Sequence, residues 1–256
     1  MVFIDQYAYI NKLRTIHPME KFSLAMMTLV ICLVFNSWLL HFCVITMMTF
    51  LVFYGASISA SSYIRLMGIP FVFLIFGILG IALSITQEVN TIMLYGIIID
   101  KWMIGFTTDG VSQAFAIFMR SYAGVSCLYF LALTTPMVDL IWVLKKIRIP
   151  VVITELMTIV YRFIFVLIET AYMIRISQEC RLGYTSIKRS YHSIGLLITN
   201  LFINSFIRAR ELFVALSARG YKGELIVLEE EYQTSKRNIL IIACTEIILL
   251  SVAIVF

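Results

Sequence analysis

Phe22 to Tyr54 runs without a single Asp, Glu, Lys or Arg. At 1.5 Å per residue this is too long for one membrane helix of about 20 residues and a little short for two. Asn36-Ser37 near the middle supplies a polar turn, so the run predicts a tight hairpin of two short spans. Arg65 falls in the next connection, and the charge-free stretch Leu66–Thr86 predicts a third span. Residues 87–112 carry Glu88, Asp100, Lys101 and Asp109 and read as a connecting loop. Val111–Thr134 gives a fourth span, interrupted by Arg120, and Asn238–Phe256 gives the last, with Glu246 inside it.

The middle of the chain follows another rhythm. Thr135-Pro136 marks a helix start, since Thr can cap an N-terminus and Pro suits the first helical position. Asp139 in its first turn and Lys145, Lys146 and Arg148 at its end complement the helix dipole, and Pro150 ends that helix and opens the next. In Val151–Ser177, Glu155, Arg162 and Glu169 recur every seven residues and share one helix face, with Arg175 a turn and a half beyond. Such a stripe is costly against lipid, so this helix packs on protein or lies at the membrane boundary with one wet side. Tyr191–Leu216 predicts a further long helix, apolar at Leu197, Leu201, Ile207, Leu212 and Phe213 and charged toward its end at Arg208, Arg210 and Glu211. Glu229-Glu230-Glu231 reads as a solvated loop.

The chain is 61% hydrophobic and 14% charged. A soluble domain is about 45–50% apolar and about 25% charged, so an integral membrane protein is expected. The charged residues ahead of Phe22, and the length of the run behind it, differ from a cleaved signal peptide. Four of the five cysteines sit in apolar runs with no C-x-x-C pair, and the three histidines are scattered, so no metal site is expected. The Walker pattern G-x-x-x-x-G-K-[ST] is absent, so the chain supplies no nucleotide site of its own.

Orientation follows from the positive-inside rule. Lys12, Arg14 and Lys21 place the N-terminus in the cytoplasm, and four spans return the chain there at residue 135. The acidic stretch 87–112 then falls outside. If 151–174 crossed alone, the ten Lys and Arg of 175–237 would lie outside, against the same rule. The simplest arrangement keeps 151–177 and 191–216 as long tilted helices on the cytoplasmic side, giving five spans with the C-terminus outside. A competing arrangement lets both cross as a pair and puts Arg181 on the far side.

Two short motifs stand out in this basic region. Cys180-Arg181-Leu182-Gly183-Tyr184 and Ala218-Arg219-Gly220-Tyr221 place an arginine after a small residue at a helix end, 38 residues apart. Either one alone reads as an ordinary helix C-terminus, with Arg favourable at the negative dipole end and Gly as the left-handed cap. Together they present two guanidinium groups suited to bidentate pairing in the clefts of a twofold partner such as an ATPase dimer.

Here the chain resembles the transmembrane T component of energy-coupling-factor (ECF) transporters, and within it the Q-type subunit of cobalt or nickel importers. The resemblance covers nearly the whole chain. It is carried by Arg181-Leu182-Gly183-Tyr184, Ser193-Ile194-Gly195-Leu196-Leu197, Arg208-Ala209 and Ala218-Arg219-Gly220-Tyr221-Lys222-Gly223-Glu224. Thr134-Thr135-Pro136 with Asp139-Leu140, and Tyr161-Arg162 with Glu169, also fit. Cys180 for Ala and the inserted Leu182 depart from a strict Ala-Arg-Gly pattern.

The resemblance implies an all-α, L-shaped membrane protein with about five transmembrane helices and long cytoplasmic-side coupling helices crossing in an X. It implies a four-span region at 1–134, coupling helices at 135–237 and a last span at 238–256. Arg181 and Arg219, with Cys180, Gly183, Ala218, Gly220, Tyr221 and Glu224 around them, would enter grooves on two ABC ATPase subunits. Those subunits would bind the ATP, and this chain would hold no cofactor and catalyse nothing. Further partners would be a membrane substrate-binding subunit, a small accessory membrane subunit and the bilayer of a bacterial or archaeal cell, with no nucleic acid. The Tyr-Lys-Gly-Glu tail favours Co²⁺ or Ni²⁺; a vitamin-type T component and a stand-alone secondary carrier are the alternatives. The apolar surfaces of 151–177 and 191–216 either carry the substrate-binding subunit or pack on each other. Arg120 and Glu246 either form an intramembrane ion pair or reach separately for an interface, headgroup or partner.

Overall fold

The computed structural model describes residues 4–86, 93–99, 102–221 and 235–255. It divides into two compact units, Met1–Leu140 with Glu231–Phe256, and Ile141–Glu230.

The first unit is a helical bundle. Helix α1 (Ile4–Ile10) and a 3₁₀ turn (Lys12–Thr15) lead to α2 (Pro18–Val34), whose N-cap His17 accepts a bond from the Met19 amide, with Pro18 at the first helical position. The Asn36-Ser37 turn forms where the sequence places it, and Ser37 Oγ caps α3 (Trp38–Phe50) at the Leu40 amide. A π-helical turn, Leu51–Gly55, continues α3, and Gly55 leaves room for Leu13, whose Cδ1 would be 3.2 Å from an added Cβ. Helix α4 (Ala60–Ala82) begins before the expected third span and takes Arg65 into the helix. Helix α5 (Thr108–Thr134), capped by Thr107, is the centre of the bundle and packs on α1, α2, α3 and α4.

The end of the expected third span and part of the stretch read as a loop form a sheet. Strands β1 (Leu83–Thr86), β2 (Met93–Ile99) and β3 (Trp102–Thr107) form an antiparallel sheet ordered β1-β3-β2. Leu83 pairs with Phe106 and Ile99 with Trp102, with an irregularity between Met93 and Tyr95. The charges that suggested a loop fall at the ends of strand-length apolar runs. The rest of the described fold is helical, as expected.

The core is built from Ala25 and Cys32 of α2, Leu40, Val44 and Met48 of α3, and Ala123 and Cys127 of α5. Helix α9 (Lys236–Val255) packs on α2 and α3 and adds Leu249 and Ala253. The outward faces are apolar too, at Met27, Leu33, Phe42, Phe73, Phe76, Ile247 and Ile248. Helices apolar on both faces suit a bilayer, where all backbone bonds are satisfied within the helix.

Polar side chains tie the bundle's ends. Glu20 is buried, and its carboxylate accepts from the Ser235 amide at 3.1 Å and from Asn238 Nδ2 at 3.0 Å, holding the start of α9 to α2. Lys21, just ahead of the apolar run, donates to the carbonyls of Leu13 (3.2 Å) and Thr134 (2.9 Å). Burial pulls its ammonium down to about 8, and the Asp139 carboxylate works against that shift. Thr135 serves as the C-cap of α5 through its backbone, while its buried hydroxyl has no partner among the described residues. The expected Thr135 cap of the next helix is therefore not formed by that side chain. Helix α6 (Met137–Lys146) carries Asp139 in its first turn and Lys145 and Lys146 in its last, as its dipole favours.

The second unit is dominated by α7 (Val151–Cys180) and α8 (Ile187–Ala218). Pro150 stands at the N-cap of α7, and Ser186 Oγ caps α8 by accepting from the Arg189 amide. Among the described residues, five stretches are long and apolar enough to cross a membrane: Trp38–Gly55, Ala60–Ile81, Gly110–Thr134, Val151–Cys180 and Lys236–Val255. The number equals the five expected but the membership differs. By length and composition α7 qualifies, whereas α2, with 17 residues, is shorter than these.

Candidate functional site

Both arginine motifs close a helix in the same way. Arg181 is the C-cap of α7; the Leu182 amide donates to the Glu179 carbonyl (3.0 Å) and the Gly183 amide to the Gln178 carbonyl (2.8 Å). Arg219 is the C-cap of α8; the Gly220 amide donates to the Ser217 carbonyl (3.0 Å) and the Tyr221 amide to the Leu216 carbonyl (3.0 Å). Each is a Schellman closure, which fixes the chain just beyond the arginine. Cys180 and Ala218 occupy matching last-helical positions, and both are exposed.

The left-handed position differs. In the second motif it is Gly220, φ +77°, as the sequence suggests; in the first it is Leu182, φ +57°, and not Gly183. Gly183 is needed for space: an added Cβ would stand 2.7 Å from Ser193 Oγ and 2.9 Å from the Gln178 carbonyl oxygen. Around it, Ser193 Oγ donates to the Gly183 carbonyl (2.8 Å), Gln178 Nε2 to the Ser193 carbonyl (2.9 Å) and the Tyr184 hydroxyl to Gln178 Oε1 (2.8 Å). These bonds pin the start of α8 to the end of α7. Neither Gln178 nor the bond made by Ser193 is visible from spacing, because their partners lie across a helix corner.

At the other end, the Tyr221 hydroxyl donates to Glu155 Oε2 at 2.9 Å, tying the second motif to the beginning of α7. Midway, Arg208 donates to Thr170 Oγ1 at 3.4 Å. Pairs 178/193, 170/208 and 155/221 step in opposite directions along the two helices, so α7 and α8 run antiparallel. The two arginines therefore stand at opposite ends of the pair. With 30 and 32 residues per helix, that separation is about 45 Å. Both side chains are exposed, and among the described residues neither guanidinium makes a hydrogen bond or ion pair. Glu224 lies outside the described residues.

The charged residues inside the helices are not gathered at this site. Glu246, on α9, is buried and accepts a 2.8 Å bond from Thr28 Oγ1 of α2, whose hydroxyl also lies 2.6 Å from the Leu24 carbonyl. Arg120 on α5 has a buried Nε without a partner, and no ion pair joins it to Glu246 among the described residues. Glu246 meets instead the hydroxyl of Thr28, a small residue that spacing does not single out. Arg162 and Glu169 are exposed on α7. Among the described residues no group of three or more His, Cys, Asp or Glu could hold a metal ion.

Residues 10–229 match the family described as cobalt transport protein, CbiQ. A protein of Methanocaldococcus jannaschii, described as uncharacterized, is 31% identical over 250 residues, covering 98% of this chain and 92% of its own. The cobalt transport protein CbiQ of Salmonella typhimurium is 35% identical over 167 residues, 65% of this chain and 74% of its own. The energy-coupling factor transporter transmembrane protein EcfT of Listeria innocua is 28% identical over 226 residues, 82% of this chain and 81% of its own. With its apolar helices and these relatives, the chain is a multi-pass membrane protein and a member of the CbiQ cobalt transport family, related to the transmembrane components of ECF transporters.

Proposed function

We propose that this protein is the non-catalytic coupling subunit of an ATP-driven ECF importer, and that Arg181 and Arg219 each enter a cleft on one of two ABC ATPase subunits. The observation that carries this reading is the pair of exposed guanidinium groups, without a partner among the described residues, each fixed by a Schellman closure at opposite ends of one antiparallel helix pair. A separation of about 45 Å spans two clefts of a twofold partner rather than one. When ATP draws the ATPases together, the ends of α7 and α8 follow. The Gly183–Ser193–Gln178 corner and the Tyr221–Glu155 bond pass that motion along the helices instead of letting the ends fray. The N-terminus and α7–α8 then lie on the cytoplasmic side, and a separate membrane subunit binds and releases the substrate.

The names of the CbiQ relatives favour Co²⁺, or the chemically similar Ni²⁺, as that substrate; the EcfT relatives keep a vitamin-type system as the alternative. In proteoliposomes containing the complete complex, Arg181→Ala/Arg219→Ala should abolish ATP-dependent Co²⁺ uptake. Uptake at the unsubstituted rate would refute the coupling role.

A further inference from the structure

The division between the two units falls inside α6, after Leu140, and the chain returns to the first unit at Glu231. Two neighbouring residues at the base of α2 hold these crossings, one each. Lys21 holds the outgoing one. Its Nζ donates to the carbonyl of Thr134, the last residue of α5, at 2.9 Å and to that of Leu13 at 3.2 Å. The Asp139 carboxylate, in the first turn of α6, attracts it. Asn11 Nδ2 also donates to the Leu133 and Thr134 carbonyls, at 3.2 and 3.4 Å, so side chains of the N-terminal segment close the end of α5. Glu20 holds the returning crossing, through the Ser235 amide and Asn238 Nδ2 just beyond Glu231. The two side chains are 5% and 3% exposed. Burying a carboxylate and an ammonium is costly, and packing α2 on its neighbours alone would be served as well by apolar groups. Directional bonds to several elements fix one geometry, which apolar contact does not.

We propose that Glu20 and Lys21 are positioning residues of the coupling step, passing displacement of α6 and of the segment ahead of α9 to α2 and so to the spanning bundle. The role rests on the coupling reading. When the second unit moves, α6 carries the displacement to Asp139 and Thr134, and the returning segment carries it to Ser235. With both crossings fastened to the base of α2, the bundle follows. With either released, the second unit moves and the bundle stays behind.

The test uses the complete complex in proteoliposomes, with subunit content, ATP hydrolysis and Co²⁺ uptake read separately. Lys21→Met and Glu20→Gln should each retain every subunit and hydrolyse ATP within about twofold of the unsubstituted rate. Uptake per ATP hydrolysed should fall about tenfold, as loss of a buried charged hydrogen bond implies. An unchanged ratio in both variants would overturn the proposal, as would hydrolysis and uptake falling in step. Should either variant fail to assemble, the pH profile of the unsubstituted complex decides. Burial brings the Lys21 ammonium down to about 8, against the attraction of Asp139. The N-terminal turn and α5 meet it with carbonyls; Lys12 and Arg14 of that turn are exposed, and Glu20 is engaged with α9. Uptake per ATP should therefore fall as pH rises through about 8, where the amine loses its charge. In Asp139→Asn the fall should move to lower pH, because the group that holds the proton on is gone. A ratio level across that range, or the same midpoint in both complexes, would contradict the role. Absence of ATPases from the unsubstituted complex would instead sink the coupling reading, and this role with it.

Discussion

Leu182 and Gly220 occupy the same place in two Schellman closures, yet only one of them is a glycine. A left-handed conformation costs a non-glycine residue about 1–2 kcal/mol. Leu182 is 63% exposed, so little packing offsets that strain. Leu182→Gly should therefore stabilise the protein by about 1 kcal/mol, and Gly220→Ala should destabilise it by a similar amount. Thermal unfolding in detergent gives both signs; shifts in the same direction would contradict the assignment. The arginine positions and helix ends were legible because small residue, arginine and glycine mark a C-terminus. The reason for Gly183 was not legible. It depends on Ser193, which spacing does not connect to the corner, and so the two glycines looked equivalent when they are not.

Among the elements, apolar run length was the readable quantity. It gave the hairpin at Asn36-Ser37, α5, α7 and α9 to within a few residues. It misread the stretch between α4 and α5, where charges at the ends of six- and seven-residue apolar runs hid two strands. It does not say which polar residues meet inside the bundle. Arg120 and Glu246 drew attention because they are charged, whereas the bond that forms joins α2 to α9 through Thr28. Removing that hydroxyl leaves the buried carboxylate oxygen without its donor. Thr28→Val, close in shape, should cost about 1–3 kcal/mol, seen as earlier dissociation or unfolding in detergent. An unchanged transition would mean that the bond contributes nothing.

For the molecule as a whole, composition predicts an integral membrane protein, and the positive-inside rule predicts that the basic region faces the cytoplasm. Helix α7 is apolar enough to span, yet it carries Arg162 and Glu169 on its surface and ends at one of the two arginine tips. With α7 and α8 on one side of the membrane, Arg181→Cys and Arg219→Cys should both react with a membrane-impermeant maleimide from the cytoplasmic face, in a background lacking the native cysteines. Reaction of the two from opposite faces would remove the basis for coupling, because one arginine could then never reach an ATPase.

The most direct measurement counts the ATPases held by each arginine. Native mass spectrometry of the detergent-purified complex should give two ATPase subunits per copy of this chain. Weakened occupancy of one is expected in Arg181→Ala and in Arg219→Ala, and loss of both in the double variant. Two ATPases retained in the double variant, with full uptake, would contradict the central claim.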